Sequence, residues 1–255
     1  MCYNTISSEV KMKIRLCCCL FVVDTIGSVS KKKNDKKKLQ VLVEKNTYNL
    51  LSIDFDEKTD LRIQMRRKLQ NTLGTNMFHL EQVYTLGDSK FFKDGYLDII
   101  YVAIACKENI KKLDNNYEFV DFSLKTKKSI MLGDHIYSYS TKATIINDNI
   151  EYYHFIDTNN LNLEKSLIEL LIALKFLKGR VKNTGIIFYL LNRFFTLEDI
   201  RIVYELITEE VVDKSNFRKK YSVYCTETAE VIRNKGFRPA KIFKCNIKDI
   251  ENLYR

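Results

Sequence analysis

Lys214, Ser215, Asn216, Arg218, Lys219 and Lys220 crowd into one short stretch of this 255-residue chain. Their types suit a nucleic-acid duplex. A guanidinium can bond a guanine edge through two parallel N–H donors, an asparagine can do the same with adenine, and lysine neutralises phosphate. Phe217, Tyr221 and Tyr224 recur among them at spacings of four and three. That spacing predicts a helix over 213–225 with the aromatic rings turned inward. Lys214, Ser215, Arg218 and Lys219 then lie away from the aromatic stripe, and Asn216 and Lys220 flank it. Further on, Arg233-Asn-Lys-Gly-Phe-Arg238 places Arg233, Lys235 and Arg238 around a glycine turn. Between Lys214 and Lys244 there are nine Lys/Arg and two Glu. A solvated basic helix would carry the same charge, so spacing and charge leave both readings open.

The elements that must hold these residues follow from periodicity and capping. Thr196 followed by Asp199 is a capping signature for a helix over 196–208. A helix over 181–191 precedes it, and a two-stranded ribbon spans about 229–245. Helix, helix, helix and ribbon is the order of a winged helix-turn-helix, whose third helix enters the major groove. Upstream, Leu163 to Gly179 has a period of 3.6 around an almost wholly apolar Leu-Ile-Glu-Leu-Leu-Ile-Ala-Leu run. Gly179 reads as its C-terminal cap, and the helix as a bridge between domains or a dimer face. The front part reads as strands at 13–23, 39–44 and 49–55, then a helix at 60–73 with Leu61, Met65 and Leu69 on one face. Two strands at 78–86 and 96–106 follow, joined by a polar turn, and several short strands lie within 117–157.

Bulk properties narrow the setting. The chain is 45% hydrophobic, enough for a packed core, and its net charge of +10 favours polyanionic partners. The cysteines at 2, 17, 18, 19, 106, 225 and 245 form no CxxC pair and have no histidine at metal-ligand spacing. They read as small hydrophobes in a reducing cytoplasm. His79, His135 and His154 are scattered without an acid–base partner in sequence. The block Lys31 to Lys38 holds six lysines and one aspartate and reads as a solvated loop. Lys11 to Arg15 followed by Leu16 to Val23 loosely imitates a secretory leader, against which a first β-strand is the plainer reading. No apolar run is long enough to span a bilayer.

Three ordered motifs give these elements a family likeness. Phe195-Thr-Leu-Glu-Asp-Ile-Arg-Ile-Val-Tyr-Glu205, Val212-Asp-Lys-Ser-Asn-Phe-Arg-Lys-Lys220 and Gly236-Phe-Arg-Pro-Ala-Lys-Ile-Phe243 resemble the winged-helix end of the NrtR-type Nudix-related transcription regulators. That family carries F-T-L-x-x-L-x-x-V-Y-E, L-D-x-x-N-F-R-R-K and G-R-P-A-x-L-Y. In the front part, Leu80-Glu-Gln-Val-Tyr-Thr-Leu-Gly-Asp88 is similar to the family's Y-L-E-Q-L-Y-T-F-G-D. The resemblance implies a Nudix-like α/β/α sandwich followed by a winged helix-turn-helix. Residues 1–160 would form the sensor, 161–180 a linking or dimer helix, and 181–255 the DNA-binding domain.

The same resemblance aligns Arg67-Lys-Leu-Gln-Asn-Thr-Leu-Gly-Thr75 with the Nudix box ending R-E-U-x-E-E-x-G-U, where U is aliphatic. Its three glutamates stand here as Lys68, Asn71 and Thr72, and the glycine pair before the box is missing, with Leu51-Ser-Ile-Asp-Phe55 in its place. Diphosphate hydrolysis needs hard oxygen ligands for magnesium, so the expectation is no catalytic residue, no metal and no cofactor. The resemblance further implies a homodimer on a palindromic double-stranded DNA operator. It also implies a small effector, an ADP-ribose-like nucleotide or a sugar derivative, with unassigned binding residues. Two rivals stand beside it: a residual nucleoside-diphosphate hydrolase, and a protein-interaction module that kept the winged fold.

Overall fold

The computed structural model describes residues 12–24, 37–87, 95–143, 151–232 and 239–245. The apolar run after Arg15 is the middle of the fold, strand β1 (Lys13–Asp24), with Leu16 to Val23 all buried. It pairs in parallel with β5 (Tyr96–Cys106) along its whole length. Its other edge is shared: β2 (Lys38–Glu44) takes the C-terminal half and β3 (Leu51–Asp54) the N-terminal half, both antiparallel. Between β2 and β3 the chain makes a tight excursion, with Asn46 and Tyr48 in the left-handed region (φ 67° and 58°).

β4 (Phe78–Leu86) completes one end of the sheet beside β5. On the other side, β6 (Tyr117–Thr126) follows β2, then β7 (Ser129–Leu132), β8 (His135–Ala143) and β9 (Glu151–Phe155) in an antiparallel meander. The central strands are buried on both faces, so they are continuous apolar runs rather than alternating ones.

Alternation divides β1 between two cores. Leu16, Cys18, Leu20 and Val22 meet Met65, Leu69 and Leu73 of α1 (Leu61–Leu73). Cys19, Phe21 and Val23 meet Leu167, Leu170, Leu174 and Leu177 of α2 (Leu161–Asn183). One helix on each face of a mixed sheet is the expected α/β/α sandwich. Asp60 caps α1 through its side chain, and Gly74 ends it in the left-handed region (φ 61°), where an added Cβ would meet Lys112 at 3.1 Å.

The second core does not stop at the sheet. It continues through α2 into α3 (Leu197–Thr208), α4 (Lys214–Ser222) and the ribbon of β10 (Thr226–Ile232) and β11 (Ala240–Lys244). Ile200, Val203, Ile207, Phe217, Tyr221 and Phe243 belong to the same buried cluster as Phe21 and Leu170.

Several sequence expectations need correction. Gly179 does not cap α2, because Val181, fully buried, continues the stripe of Leu174 and Leu177 past it; Thr184 ends the helix instead. The expected helix at 181–191 is the last turn of α2 followed by a 3₁₀ turn at Gly185–Leu190, all six residues of which are buried. The helix expected at 213–225 stops at Ser222, leaving Tyr224 in a turn and 42% exposed, although its ring still meets Tyr221 edge-on. The run that imitates a secretory leader is the core strand β1. Among the described residues no helix is long and apolar enough to cross a membrane.

Because one core serves sheet and winged helix alike, Leu170→Ala should destabilise both together by about 2–5 kcal/mol. Far-UV circular dichroism and tyrosine fluorescence should follow one shifted denaturant transition. A second, unshifted transition belonging to the C-terminal part would show that the core is not shared.

Candidate nucleic-acid interface and buried polar cluster

α3 starts from a reciprocal capping box. The Thr196 hydroxyl accepts from the Asp199 backbone N–H at 3.1 Å, and the Asp199 carboxylate accepts from the Thr196 backbone N–H at 2.9 Å. Lys37 also donates to that carboxylate at 2.7 Å, across 162 residues of sequence. Asp199 is half-buried, which opposes its charge, but Lys37 and the Thr196 groups hold its carboxyl below the usual range. The entrance of β2 is thereby tied to the first helix of the helix-turn-helix.

The turn between α3 and α4 is fixed from three sides. Glu209 ends α3 in the left-handed region (φ 59°) and pairs with Lys178 of α2 at 2.6 Å. Glu210 pairs with Lys182 of α2 at 2.5 Å. Glu205, held by Arg201, accepts from the Val212 backbone N–H at 3.1 Å.

Asp213 caps α4, its side chain accepting from the Asn216 backbone N–H at 2.8 Å. Phe217 and Tyr221 are the buried side of α4, stacked with centroids 4.3 Å apart, with Tyr204 edge-on to Phe217 at 5.3 Å. The Tyr221 hydroxyl donates to the Val181 carbonyl at 3.3 Å. This aromatic seat sets the rotation of α4 about its axis. Lys214, Ser215, Asn216, Arg218, Lys219 and Lys220 are all exposed in consequence.

The six are not equivalent. Lys220 leans back and donates to the Lys182 carbonyl at 3.0 Å, so it helps hold α4 on α2. Lys214 and Arg218 lie near Glu198 of α3, whose carboxyl is held low chiefly by its hydrogen bond to Arg201. The ribbon is docked by the paired backbone bonds between Phe195 and Phe243 (3.0 and 2.7 Å). The loop positions Arg233, Lys235 and Arg238 lie outside the described residues.

The positions aligned with the Nudix-box glutamates sit on α1. Asn71 is exposed, Lys68 holds its ammonium 5.6 Å from the Tyr117 ring, and Thr72 is buried with no partner for its hydroxyl. The backbone N–H of Asp114 donates to the Thr72 carbonyl, and those of Lys111 and Lys112 to that of Leu73, so a loop covers the end of this helix. α1 contains Arg62, Arg66, Arg67 and Lys68 and no carboxylate.

On the opposite face of the sheet lies a cluster that sequence reasoning passed over. Asp98 of β5 is 1% exposed and receives Arg15 Nε at 2.8 Å and Arg15 Nη2 at 3.2 Å, together with the Lys165 ammonium of α2. One turn along α2, Glu169 is 2% exposed, lies against Cys17, and has Oε1 without a hydrogen-bond partner. Burial, then the nearby Asp98 charge, push its carboxyl up to about 8. A cavity of about 160 Å³ opens beside these groups, roofed by the first turns of α2. The signal was present in the sequence as a glutamate inside Leu-Ile-Glu-Leu-Leu-Ile-Ala-Leu and an aspartate inside Tyr-Leu-Asp-Ile-Ile-Tyr.

Residues 187–245 match the NrtR DNA-binding winged helix domain, and this part of the chain is a winged helix of that type. Three solved structures share the fold of nearly the whole chain. Shewanella oneidensis NrtR complexed with a 27mer DNA is 15% identical with a TM-score of 0.61, covering 93% of this chain and 95% of its own. Shewanella oneidensis NrtR in a second structure is 14% identical with a TM-score of 0.61, over 92% and 94%. A MutT/nudix family protein from Enterococcus faecalis is 15% identical with a TM-score of 0.64, over 92% and 88%. No curated protein matches the chain. The front part is thus a Nudix-like sandwich.

The raised Glu169 carboxyl has a defined consequence for stability. Between the unfolded carboxyl range and about 8 the folded state binds the extra proton. Stability must therefore fall as pH rises through that window. Glu169→Gln should flatten the dependence and make the protein more stable than the parent at pH 8, read by denaturant titration across pH. Parallel pH profiles for the two proteins would show that Glu169 ionises normally.

Proposed function

We propose that this chain, with an NrtR-type winged helix behind a Nudix-like sandwich, is a sequence-specific DNA-binding transcription regulator. The observation that carries the reading is α4: capped by Asp213, seated on Phe217 and Tyr221, and presenting Ser215, Asn216, Arg218 and Lys219 to solvent within the matched domain. Arg218 and Asn216 are the base readers, Lys214, Lys219 and the Arg233, Lys235 and Arg238 wing contact phosphate, and Lys220 chiefly braces α4. The S. oneidensis protein's complex with a 27mer DNA supports a duplex as partner. Two copies on a palindromic operator match the two-fold symmetry of such sites, and a cytoplasmic location follows from that role.

The Nudix-like fold implies a magnesium site on α1, and the residues there do not fit one. A divalent cation needs clustered carboxylate oxygens, whereas α1 offers four cationic side chains and no carboxylate. The sandwich therefore serves as a sensor rather than a hydrolase. Magnesium-dependent cleavage of ADP-ribose at enzymatic rates would contradict this.

Arg218→Ala should weaken binding to the DNA upstream of the chain's own gene by about 1–3 kcal/mol and relax preference at one base position. Lys219→Ala should instead weaken all duplexes similarly and make binding less salt-dependent. Electrophoretic shifts at several salt concentrations separate the two, and wild-type affinity in the Arg218 variant would remove it from the interface.

A further inference from the structure

We propose that Cys225 and Cys245 form a redox modification site, at which a hydroperoxide joins them in a reversible disulfide that staples the base of the ribbon to the end of α4. The inference concerns the winged helix itself and does not depend on what the winged helix binds.

Register brings the two residues together. β10 and β11 are antiparallel, with Thr226 opposite Lys244 and Glu227 opposite Phe243. Cys225 immediately precedes Thr226, and Cys245 immediately follows Lys244. One step outward on the same ladder they therefore face one another. Residues opposed across an antiparallel pair have Cα atoms about 4.5 or 5.5 Å apart, and a disulfide spans roughly 4.4–6.8 Å between Cα atoms. Both side chains pack against the core that holds Phe217 and Tyr221. They are also close enough for the charge of Cys245 to act on Cys225.

Both ends of the prospective bond are held. The Cys225 N–H donates to the Ser222 carbonyl at 3.2 Å, and its thiol donates to the Tyr221 carbonyl at 3.3 Å. Two residues before Cys245, Phe243 is fixed by its paired bonds to Phe195. A cross-link would close over an arrangement already present. It would join the last turn of α4 to the strand that docks beside the start of α3.

Exposure and acidity assign the chemistry. Cys17, Cys18, Cys19 and Cys106 are buried thiols, whereas Cys225 and Cys245 are thiols partly open to solvent. A dissolved oxidant reaches the second group first. Burial, then the charge of Cys245, push the Cys225 thiol up to about 12. Cys225 is thus the poorer first nucleophile, and Cys245 attacks. Its thiolate sulfur takes one oxygen of the hydroperoxide. The O–O bond breaks, and the alcohol, or water from hydrogen peroxide, leaves with the Cys245 proton. The Cys225 sulfur then displaces the oxygen of the resulting sulfenic acid, which departs as water with the Cys225 proton. Two thiols are oxidised to one disulfide, the hydroperoxide is reduced, and a dithiol reverses the bond by exchange.

The full chain, reduced and then treated with hydrogen peroxide, tests this. Mass spectrometry of a non-reduced digest should show Cys225 linked to Cys245 within one chain, and dithiothreitol should release the link. The closed loop constrains the unfolded chain. After removal of the peroxide, denaturant titration should therefore give a folding equilibrium constant about 30–900-fold above that of the reduced chain. Cys225→Ser and Cys245→Ser should each abolish both the link and the rise, and Cys2→Ser should keep both. Circular dichroism identifies a variant that fails to fold, and the other then decides. Oxidation that stops at a sulfenic or sulfinic acid, a link between two chains, or a linked chain no more stable than the reduced one would overturn the proposal.

Discussion

A single helix in this chain has to be buried along two surfaces at once. α2 lays Leu167, Leu170 and Leu174 on the sheet, and its later turns meet the aromatic group of Tyr204, Phe217 and Tyr221 through α3 and the 3₁₀ turn. An amphipathic helix with one wet face could not do this. The run Leu-Ile-Glu-Leu-Leu-Ile-Ala-Leu is apolar nearly all round because solvent reaches little of it. Fixing α2 on the sheet fixes where the winged helix sits, and the Lys178–Glu209 and Lys182–Glu210 pairs then set the helix-turn-helix turn. These exposed pairs contribute direction more than stability.

The sheet carries its own compromise. A central strand buried on both faces normally excludes charge, yet Arg15, Asp98, Lys165 and Glu169 are all brought beneath α2. Asp98 is matched by two cations, which keeps its desolvation tolerable, and removing it would take a shared partner from both in a confined place. Glu169 has no such match and responds by holding its proton. A polar group kept in a core without full satisfaction is the sort of local inconsistency that marks sites rather than scaffolding.

What could be read in the sequence, and what could not, follows from how local each signal was. The strands β1, β2, β4 and β5 and the helix α1 stood out because their apolar runs and the spacing of Leu61, Met65 and Leu69 are decided within a few residues. The exposed face of α4 was legible for the same reason, since Phe217 and Tyr221 fix its rotation by spacing alone. Gly179 misled because a glycine inside a helix looks like an end until the burial of Val181 is known. The 3₁₀ turn at 185–190 was read as a helix because its residues are apolar, although Gly185 and the extended Thr184 before it break the ladder. The polar cluster is assembled from β1, β5 and α2, separated by tens of residues, and only register and crossing angle bring it together. The Lys37–Asp199 pair is the same case.

The shared helix also bears on how such a chain could be rearranged. In many regulators the reading head and the sensor meet through a pliable tether, and either can be exchanged without disturbing the other. Here the join is an interior: the wall of the sandwich and the foundation of the winged helix are the same 23 residues. A recombination break on either side of that helix would strip apolar surface from one half and leave it uncovered. Either part cut free of α2 should therefore present an uncovered apolar face to solvent and be prone to associate through it.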